Sequence, residues 1–338
     1  MKRSLKIGTC AFIFLFAALT GFAQDRVYKV EVLQVAAVAP FQLTYDSFVE
    51  ELANNGLVQG KNLVINRAII DFDLEKAGLW KKIGVLMRIK SEASRIADAK
   101  PDLAVTIGTP ATKYAKDAII SAGVPLVFTN VAIPETAGCK SLTEAGPGFT
   151  GTTLYMNIRD ALRIVKLAFP SVTTIGIVHS DDDNAIAHTE LTKKEGPAVG
   201  YTVLAKEVAK NDSIKPTVYE LIDKGAQAFI VPLDTYYGMR DNEPAREIAA
   251  ISLEKKIPII SFMHFKCPGA ALYIGSEFTT MGVMAAQQSV KILKEGVSPD
   301  SLPILRQEDL TIMVDTSVLD PLGIKLPMEI LQLSKAVE

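Results

Sequence analysis

The sequence predicts an α/β fold of two Rossmann-like lobes with parallel sheets, joined by a hinge. Short apolar runs of strand type alternate with amphipathic helices, which is typical of parallel sheets covered on both faces. The turn-rich stretch 146–151 interrupts this alternation, which then restarts as a second series of similar length. A second break follows Gly275, where a long helix begins at about Phe278. These three observations favour two similar lobes with more than one crossing between them.

The first series combines β-branched apolar runs with helices that end at glycine or begin at proline. Its predicted elements are, in order, strand 28–38, helix 43–55 ending at Gly56, strand 62–70, a mostly helical stretch 74–99, strand 102–107, a helix opened by Pro110, and strand 125–128. The stretch 74–95 contains the only tryptophan, Trp80.

The second series repeats the alternation with four strands and four helices. They are helix 158–169, strand 173–178, helix 184–199, strand 201–208, helix 214–224, strand 226–232, helix 243–255 and strand 258–262. We therefore expect the first lobe to comprise 25–152 and 276–316, and the second to comprise 153–275 and 317–338.

The amino terminus has the pattern of a secretory signal. Three basic residues precede an apolar run over 7–19, and Gly21-Phe22-Ala23 ends it with small residues at the positions that signal peptidase prefers. This pattern predicts a signal peptide over 1–23 and an exported, periplasmic mature chain. A membrane anchor is the alternative, but a spanning helix needs about 20 apolar residues.

Composition limits the classes of partner. The chain has 338 residues, of which 49% are hydrophobic and 22% charged, and its formal net charge is −2. Such a balance gives no reason to expect nucleic acid or an anionic membrane as a partner.

The three histidines are scattered, and we expect no metal and no cofactor. Cys139 and Cys267 remain after signal removal, and free thiols are favoured over a disulfide between them.

Polar residues follow the core strands at the edge where open α/β sheets bind ligands. In the first lobe these are Thr109, Pro110, Ala111, Thr129 and Asn130; in the second they are Asp234, Thr235, Tyr236 and Ser261. Threonine as N-cap and proline in the first turn predict a helix start at 109–110, whose free N–H groups suit a carboxylate. An acid and aromatic rings in the second lobe suit an ammonium group and an apolar side chain. The alternative is that these residues only cap helices.

Seven segments occur in this order: "FVEELANNGLVQGKNLVI" (48–65), "KPDLAVTIGTPAT" (100–112), "VPLVFTNV" (124–131), "GFTGTT" (148–153), "AFIVPLDT" (228–235), "IPIISF" (257–262) and "DTSVLDPLGIKLP" (315–327). In this order they resemble a family of ABC-transporter solute-binding proteins with the type I periplasmic-binding-protein fold, which includes receptors for aromatic amino acids. The resemblance covers about 29–335.

The resemblance implies an exported protein that binds a small ligand between its lobes by hinge closure and delivers it to a permease in the inner membrane. By the same resemblance, Thr109–Ala111 bind the carboxylate of an amino acid, Thr129 is a second first-lobe contact and Asp234 takes the amino group. We expect a monomer. The segments Asp181–Asn184 and Met263–Phe265 depart from the family pattern, as does Ile133 before Pro134, and the stretch 74–95 is longer than is usual in the family.

Two other functional classes were weighed. An enzyme would need a nucleophile elbow or a dinucleotide fingerprint, and the sequence has neither G-x-S-x-G nor G-x-G-x-x-G after the first strand. His264 with Cys267, or His179 with the acids at 181–183, is too incomplete a set to favour a metal site. A sensory receptor that passes its bound state to a membrane sensor needs the same pocket and remains the alternative to an importer.

Overall fold

Two separate sheets organise the chain. The computed structural model describes residues 26–71 and 79–337, with the side chains of 79–82 excepted. The predicted signal peptide and the side chain of Trp80 lie outside the described residues. Apolar β-branched runs form the strands because both faces of each sheet are covered by helices, so whole strands such as Leu103–Ile107 are buried.

The first sheet has six strands, all paired in parallel, in the order β11-β5-β4-β3-β1-β2. Its strands are β1 (Tyr28–Val35), β2 (Leu63–Ile70), β3 (Leu103–Ile107), β4 (Leu126–Val131), β5 (Phe149–Thr153) and β11 (Leu305–Arg306). Four helices belong to this half: α1 (Ala39–Asn54), α2 (Leu79–Ala99), α3 (Thr109–Ser121) and α8 (Phe278–Glu295).

The second sheet has seven strands in the order β13-β12-β10-β9-β8-β6-β7. They are β6 (Thr174–His179), β7 (Thr202–Glu207), β8 (Ala228–Val231), β9 (Ile259–Ser261), β10 (Ala270–Gly275), β12 (Thr311–Val314) and β13 (Ser334–Ala336). Its helices are α4 (Ile158–Ala168), α5 (Asp183–Glu195), α6 (Lys215–Asp223), α7 (Met239–Lys255), α9 (Thr316–Leu322) and α10 (Met328–Leu333). All pairs are parallel except β10 with β12.

Three crossings connect the two halves. The chain leaves the first sheet after β5, returns after β10 to form α8 and β11, and then leaves again to form β12. The predicted boundary at 316 therefore needs a correction. Since Thr311–Val314 pairs antiparallel with Leu272–Gly275, the last crossing falls between Arg306 and Thr311.

The mixed α/β architecture with two mainly parallel sheets agrees with the fold class predicted from the sequence. Each sheet has its own apolar clusters on both faces, with Phe128 at the centre of the first and Ile230 and Phe229 on opposite faces of the second. Within the described ranges, no helix is long and apolar enough to cross a bilayer.

Candidate functional site

The start of α3 lies at the carboxyl end of β3, in the position the sequence predicts. Gly108 joins them with a φ of 97°, and a Cβ atom there would lie 3.0 Å from the Phe41 ring, so glycine fits this turn best. Gly108, and not Thr109, is the N-cap of the helix. The Thr109 hydroxyl is thereby released from the capping role that the sequence predicts for it.

The Thr109 side chain instead crosses to the other half of the molecule. Its Oγ1 donates to Oδ1 of Asn184 at 3.0 Å, and Thr109 is 1% exposed. One turn further along α3, Lys113 Nζ lies 2.9 Å from Asp183 Oδ2. The first turns of α3 and α5 therefore face each other across a narrow cleft. The other two residues predicted at this helix start differ from each other in solvent exposure. Ala111 is buried, whereas Pro110 is exposed.

Thr129 and Asn130 belong to a buried polar network of the first lobe. Thr152 Oγ1 donates to Thr129 Oγ1 at 2.8 Å, and Asn130 Nδ2 donates to Thr44 Oγ1 at 2.8 Å. Asn130 has a left-handed φ of 58°, which asparagine tolerates better than most residues. Thr44 Oγ1 in turn donates to the carbonyl of Phe278 at 3.0 Å. The network ties β4 and β5 to α1 and to the second crossing.

Asp234 accepts hydrogen bonds from three groups of its own lobe. Ser180 donates through its N–H at 2.6 Å and its hydroxyl at 2.7 Å, and the Tyr236 N–H donates at 2.9 Å. Asp234 is therefore a cap of the turn Thr235–Gly238, as the alternative interpretation of the sequence held. It is 4% exposed. Burial first, and then the nearby Asp182 carboxylate, raise the pKa of the Asp234 carboxyl to about 6.

Asp182 lies beside this buried carboxylate. Its Oδ1 accepts from the Asn184 N–H at 2.9 Å, and its Oδ2 accepts from the Thr235 hydroxyl at 3.0 Å. Across the described part of the chain, the hydrogen bonds to Asp182 and Asp234 come from neutral donors. Two carboxylates with neutral donors thus lie close together in the second lobe, beside the start of α5 that Thr109 contacts.

The structure corrects the prediction for the aromatic residues. Tyr236 and Tyr237 are buried in the core of the second lobe, where their hydroxyls donate to the carbonyls of Asp212 and Val178 at 2.8 Å. The two rings pack edge to face against each other. Tyr236 is thus a core residue of the second lobe and not an exposed wall of the cleft. Ser261 is also buried, and its hydroxyl donates to the Met263 carbonyl at 3.3 Å.

A small cavity lies where the two halves meet, between the crossings and the strand ends of the second sheet. Its apolar wall is formed by Leu154, Met156, Leu233, Phe262, Met263 and Phe278. Its polar side chains are His188, His264 and Ser276. Two of their atoms, His264 Nε2 and Ser276 Oγ, are buried without a hydrogen-bond partner. The cavity has room for about one water molecule, so an organic ligand requires the halves to move apart.

Both cavity histidines are held neutral at pH 7. Burial lowers the pKa of His188 to about 4 and also lowers the pKa of His264. The Leu233 N–H donates to His188 Nδ1 at 3.4 Å, which leaves the imidazole proton on Nε2. A neutral His188 therefore offers one N–H donor.

Sequence reasoning missed most of this cavity. It considered His264 as a metal ligand with Cys267 and as part of the segment Met263–Phe265 that departs from the family pattern, and it did not consider His188 or Ser276. The available signal was positional: Leu154–Met156 and Ser276–Phe278 directly follow the two predicted breaks between the lobes. Residues at a crossing between lobes line any cleft that the lobes form.

The described residues include no group of three or more histidines, cysteines and acids that could hold a metal ion. Cys139 and Cys267 are free and buried. Burial raises the pKa of each thiol to about 12, so neither forms a thiolate at neutral pH.

Comparison with known proteins gives consistent matches over most of the chain. A family model described as "ABC transporter substrate binding protein" matches residues 29–338. A tyrosine-binding protein from Clostridioides difficile (strain R20291) is 24% identical over 284 residues, which span 82% of this chain and 76% of that protein.

Solved structures share the fold. A substrate-binding protein with adhesive properties from Clostridium difficile, in a ligand-free, open structure, matches with a TM-score of 0.72 and 25% identity, covering 92% of this chain and 99% of that one. An ABC domain from Streptococcus pneumonia in complex with L-Trp matches with a TM-score of 0.75 and 20% identity, covering 92% and 100%.

Proposed function

The chain belongs to the ABC transporter substrate-binding protein family, and from this premise we propose that it binds an amino acid, aromatic in its side chain, for import. Its relatives are solute-binding proteins and not enzymes, in agreement with the sequence-based expectation. A relative that is named a tyrosine-binding protein and a similar fold that holds L-Trp support this ligand class.

The observation that carries the proposal is the polarity of the cleft. The start of α3 presents backbone N–H groups and the positive end of a helix dipole, which favour a carboxylate. In the second lobe, Asn184, which Thr109 contacts, is next to Asp182 and Asp234, whose carboxylates have only neutral hydrogen-bond donors in the described chain. A zwitterion placed between them would supply the missing positive charge. The adjoining apolar cavity suits its side chain.

Binding would couple to hinge closure. Each half contributes one pole of the site, so a ligand that enters between separated halves and bridges them favours their closure around it. In the proposed role, the closed protein then delivers the ligand to a permease in the inner membrane.

A thermal-shift screen of the mature protein against the common amino acids and small carboxylic acids tests the ligand class. A ligand at 100 times its Kd adds about 2.7 kcal/mol of stability, which is a measurable rise in melting temperature. We expect the largest shifts from aromatic amino acids. Stabilisation by sugars or polyols alone would contradict the proposal.

We also propose that the chain is exported after cleavage behind Ala23, because the family carries its ligands outside the cytoplasm. N-terminal sequencing of protein from the cell envelope is expected to start at Gln24, within one or two residues. Soluble cytoplasmic protein that retains Met1 would contradict export.

A further inference from the structure

The cavity between the crossings contains polar atoms that the fold itself leaves unpartnered. His264 Nε2 and Ser276 Oγ are both buried without a hydrogen bond, although buried polar atoms in proteins are almost always paired. Ser276 is 4% exposed. The two residues are held close, because the His264 backbone N–H lies 3.1 Å from where a Cβ on Gly275 would stand. Leaving such groups unpaired costs free energy, which a bound ligand can recover.

The third polar residue of the cavity completes the set. His188 offers an Nε2–H donor, Ser276 can donate or accept, and His264 Nε2 can do either according to its tautomer. A hydroxyl group is the ligand group that matches such a set, since it donates one hydrogen bond and accepts others. A carboxylate is disfavoured here, because burial keeps both imidazoles neutral and the walls are otherwise apolar.

Resting on the proposed function, we infer that this cavity recognises the phenolic hydroxyl of the ligand, with His264 and Ser276 as its hydrogen-bond partners. Once the halves have moved apart enough to admit the ligand, Phe262, Met263 and Phe278 provide the apolar contacts for the ring that carries the hydroxyl. The protein is thus a receptor for hydroxylated aromatic ligands and discriminates against their unhydroxylated analogues. Discrimination arises because an analogue without the hydroxyl leaves the two buried protein groups unpaired.

Calorimetry with two matched ligand pairs tests this inference: L-tyrosine with L-phenylalanine, and 4-hydroxybenzoate with benzoate. The second pair lacks the ammonium group and so separates hydroxyl recognition from recognition of the amino acid. In wild-type protein we expect the hydroxylated member of at least one pair to bind about 10- to 100-fold more tightly. Ser276→Ala and His264→Phe are expected to reduce that ratio to near one by weakening the hydroxylated ligand only.

Ser289→Ala is the matched control, because it also removes a buried hydroxyl, but one bonded to the Ala285 carbonyl within α8. It should leave the ratio unchanged. Melting temperatures establish that each variant folds. If His264→Phe does not fold, the binding ratio of Ser276→Ala is sufficient to test the inference. Equal binding within both pairs in wild type, or a ratio that survives both cavity substitutions, would overturn the inference while leaving the aromatic ligand class intact. Failure of all four ligands to bind would overturn both.

Discussion

Asp234 shows how one side chain can have both a structural and a functional role. Its two carboxylate oxygens accept three hydrogen bonds from Ser180 and Tyr236, which hold the turn after β8. A carboxylate has about four acceptor positions, so one remains for a ligand ammonium. The repulsion by Asp182 makes that position favourable for a positive charge.

Replacing this carboxylate should therefore affect both binding and stability. In Asp234→Asn an amide N–H₂ faces protein donors, so we expect the protein to lose about 1–3 kcal/mol of stability. Affinity for an amino acid should fall about 10- to 100-fold, because a charge-assisted hydrogen bond becomes neutral. Calorimetry and thermal melts measure the two effects. Ser180→Ala is the control, since it removes one donor to Asp234 without changing the charge. A loss of affinity as large in Ser180→Ala would indicate a purely structural role for Asp234.

The raised pKa of Asp234 predicts a pH dependence of binding. An ammonium group binds the ionised carboxylate, and the carboxyl titrates at about 6 in the folded protein. Affinity should be constant above that pH and fall up to tenfold per unit below it, because a proton must first leave. Ligand titrations at pH 7 and pH 5 measure this change in affinity. The Asp234→Asn variant should bind the ligand equally well at the two pH values. An equal pH effect in that variant would assign the titration to another group.

His188 predicts a separate effect of pH on stability. Its pKa is about 4 when folded and about 6.5 when unfolded, so below pH 6.5 the unfolded chain binds a proton that the folded chain does not. The contribution of neutral, buried His188 to the free energy of unfolding is thus fully retained above pH 6.5. About 3 kcal/mol of that free energy is lost on acidification to pH 4. Denaturant unfolding of His188→Gln should show a weaker decline in stability than wild type over this range. If the stability of wild type and of His188→Gln declined equally with pH, the acid-induced loss could not be assigned to His188.

At the scale of elements, the contact between α1 and α8 attaches the second crossing to the first lobe. A Cβ on Gly282 would lie 2.2 Å from the Thr44 carbonyl oxygen and 2.9 Å from the Phe48 nitrogen. Both atoms belong to backbone that cannot rotate away, so only glycine permits this approach. The first residue of α8, Phe278, is a wall of the cavity, which links helix packing to the site.

Gly282→Ala should consequently force the two helices apart. We expect a loss of about 1–3 kcal/mol of stability, measured by denaturant unfolding. Gly84→Ala is the matched control, because Gly84 lies within α2 and a Cβ there meets no described atom within 4 Å. Since alanine is the better helix former, that variant should gain about 0.5–1 kcal/mol. Equal effects of the two substitutions would show that helix propensity alone decides the outcome.

At the scale of the whole molecule, the contacts between α3 and α5 hold the two halves together. The ion pair of Lys113 and Asp183 is partly exposed, so it contributes about 0.2–1 kcal/mol to the closed arrangement. Lys113→Gln should shift the equilibrium toward separated lobes by about 1.5- to 5-fold.

Small-angle scattering of this variant is expected to give a larger radius of gyration than wild type, and 1 M salt should abolish the difference. Lys193→Gln is the control, because Lys193 pairs with Glu190 on the same helix and does not reach the other half. An identical change in both variants would show that charge loss alone, and not the contact across the cleft, is responsible.

The sequence by itself determined the alternating architecture, the family and the positions of the strand ends. Period and composition are local properties, and apolar runs such as Leu103–Ile107 followed by Gly108 and Pro110 specify a strand, a turn and a helix without knowledge of distant residues. The resemblance of ordered segments over 48–327 likewise needs no coordinates, and the match over 29–338 confirms it.

Only the tertiary structure decided which strand-end side chains face the cleft. Tyr236 and Asp234 are two residues apart, yet one ring is in the core and one carboxyl lies beside Asp182, because a single turn of backbone sets their directions. Similarly, Thr311–Val314 joins the second sheet through pairing with β10, which is a contact between segments distant in the chain. His188, His264 and Ser276 meet in one cavity for the same reason: their proximity comes from packing between elements, which no local pattern encodes.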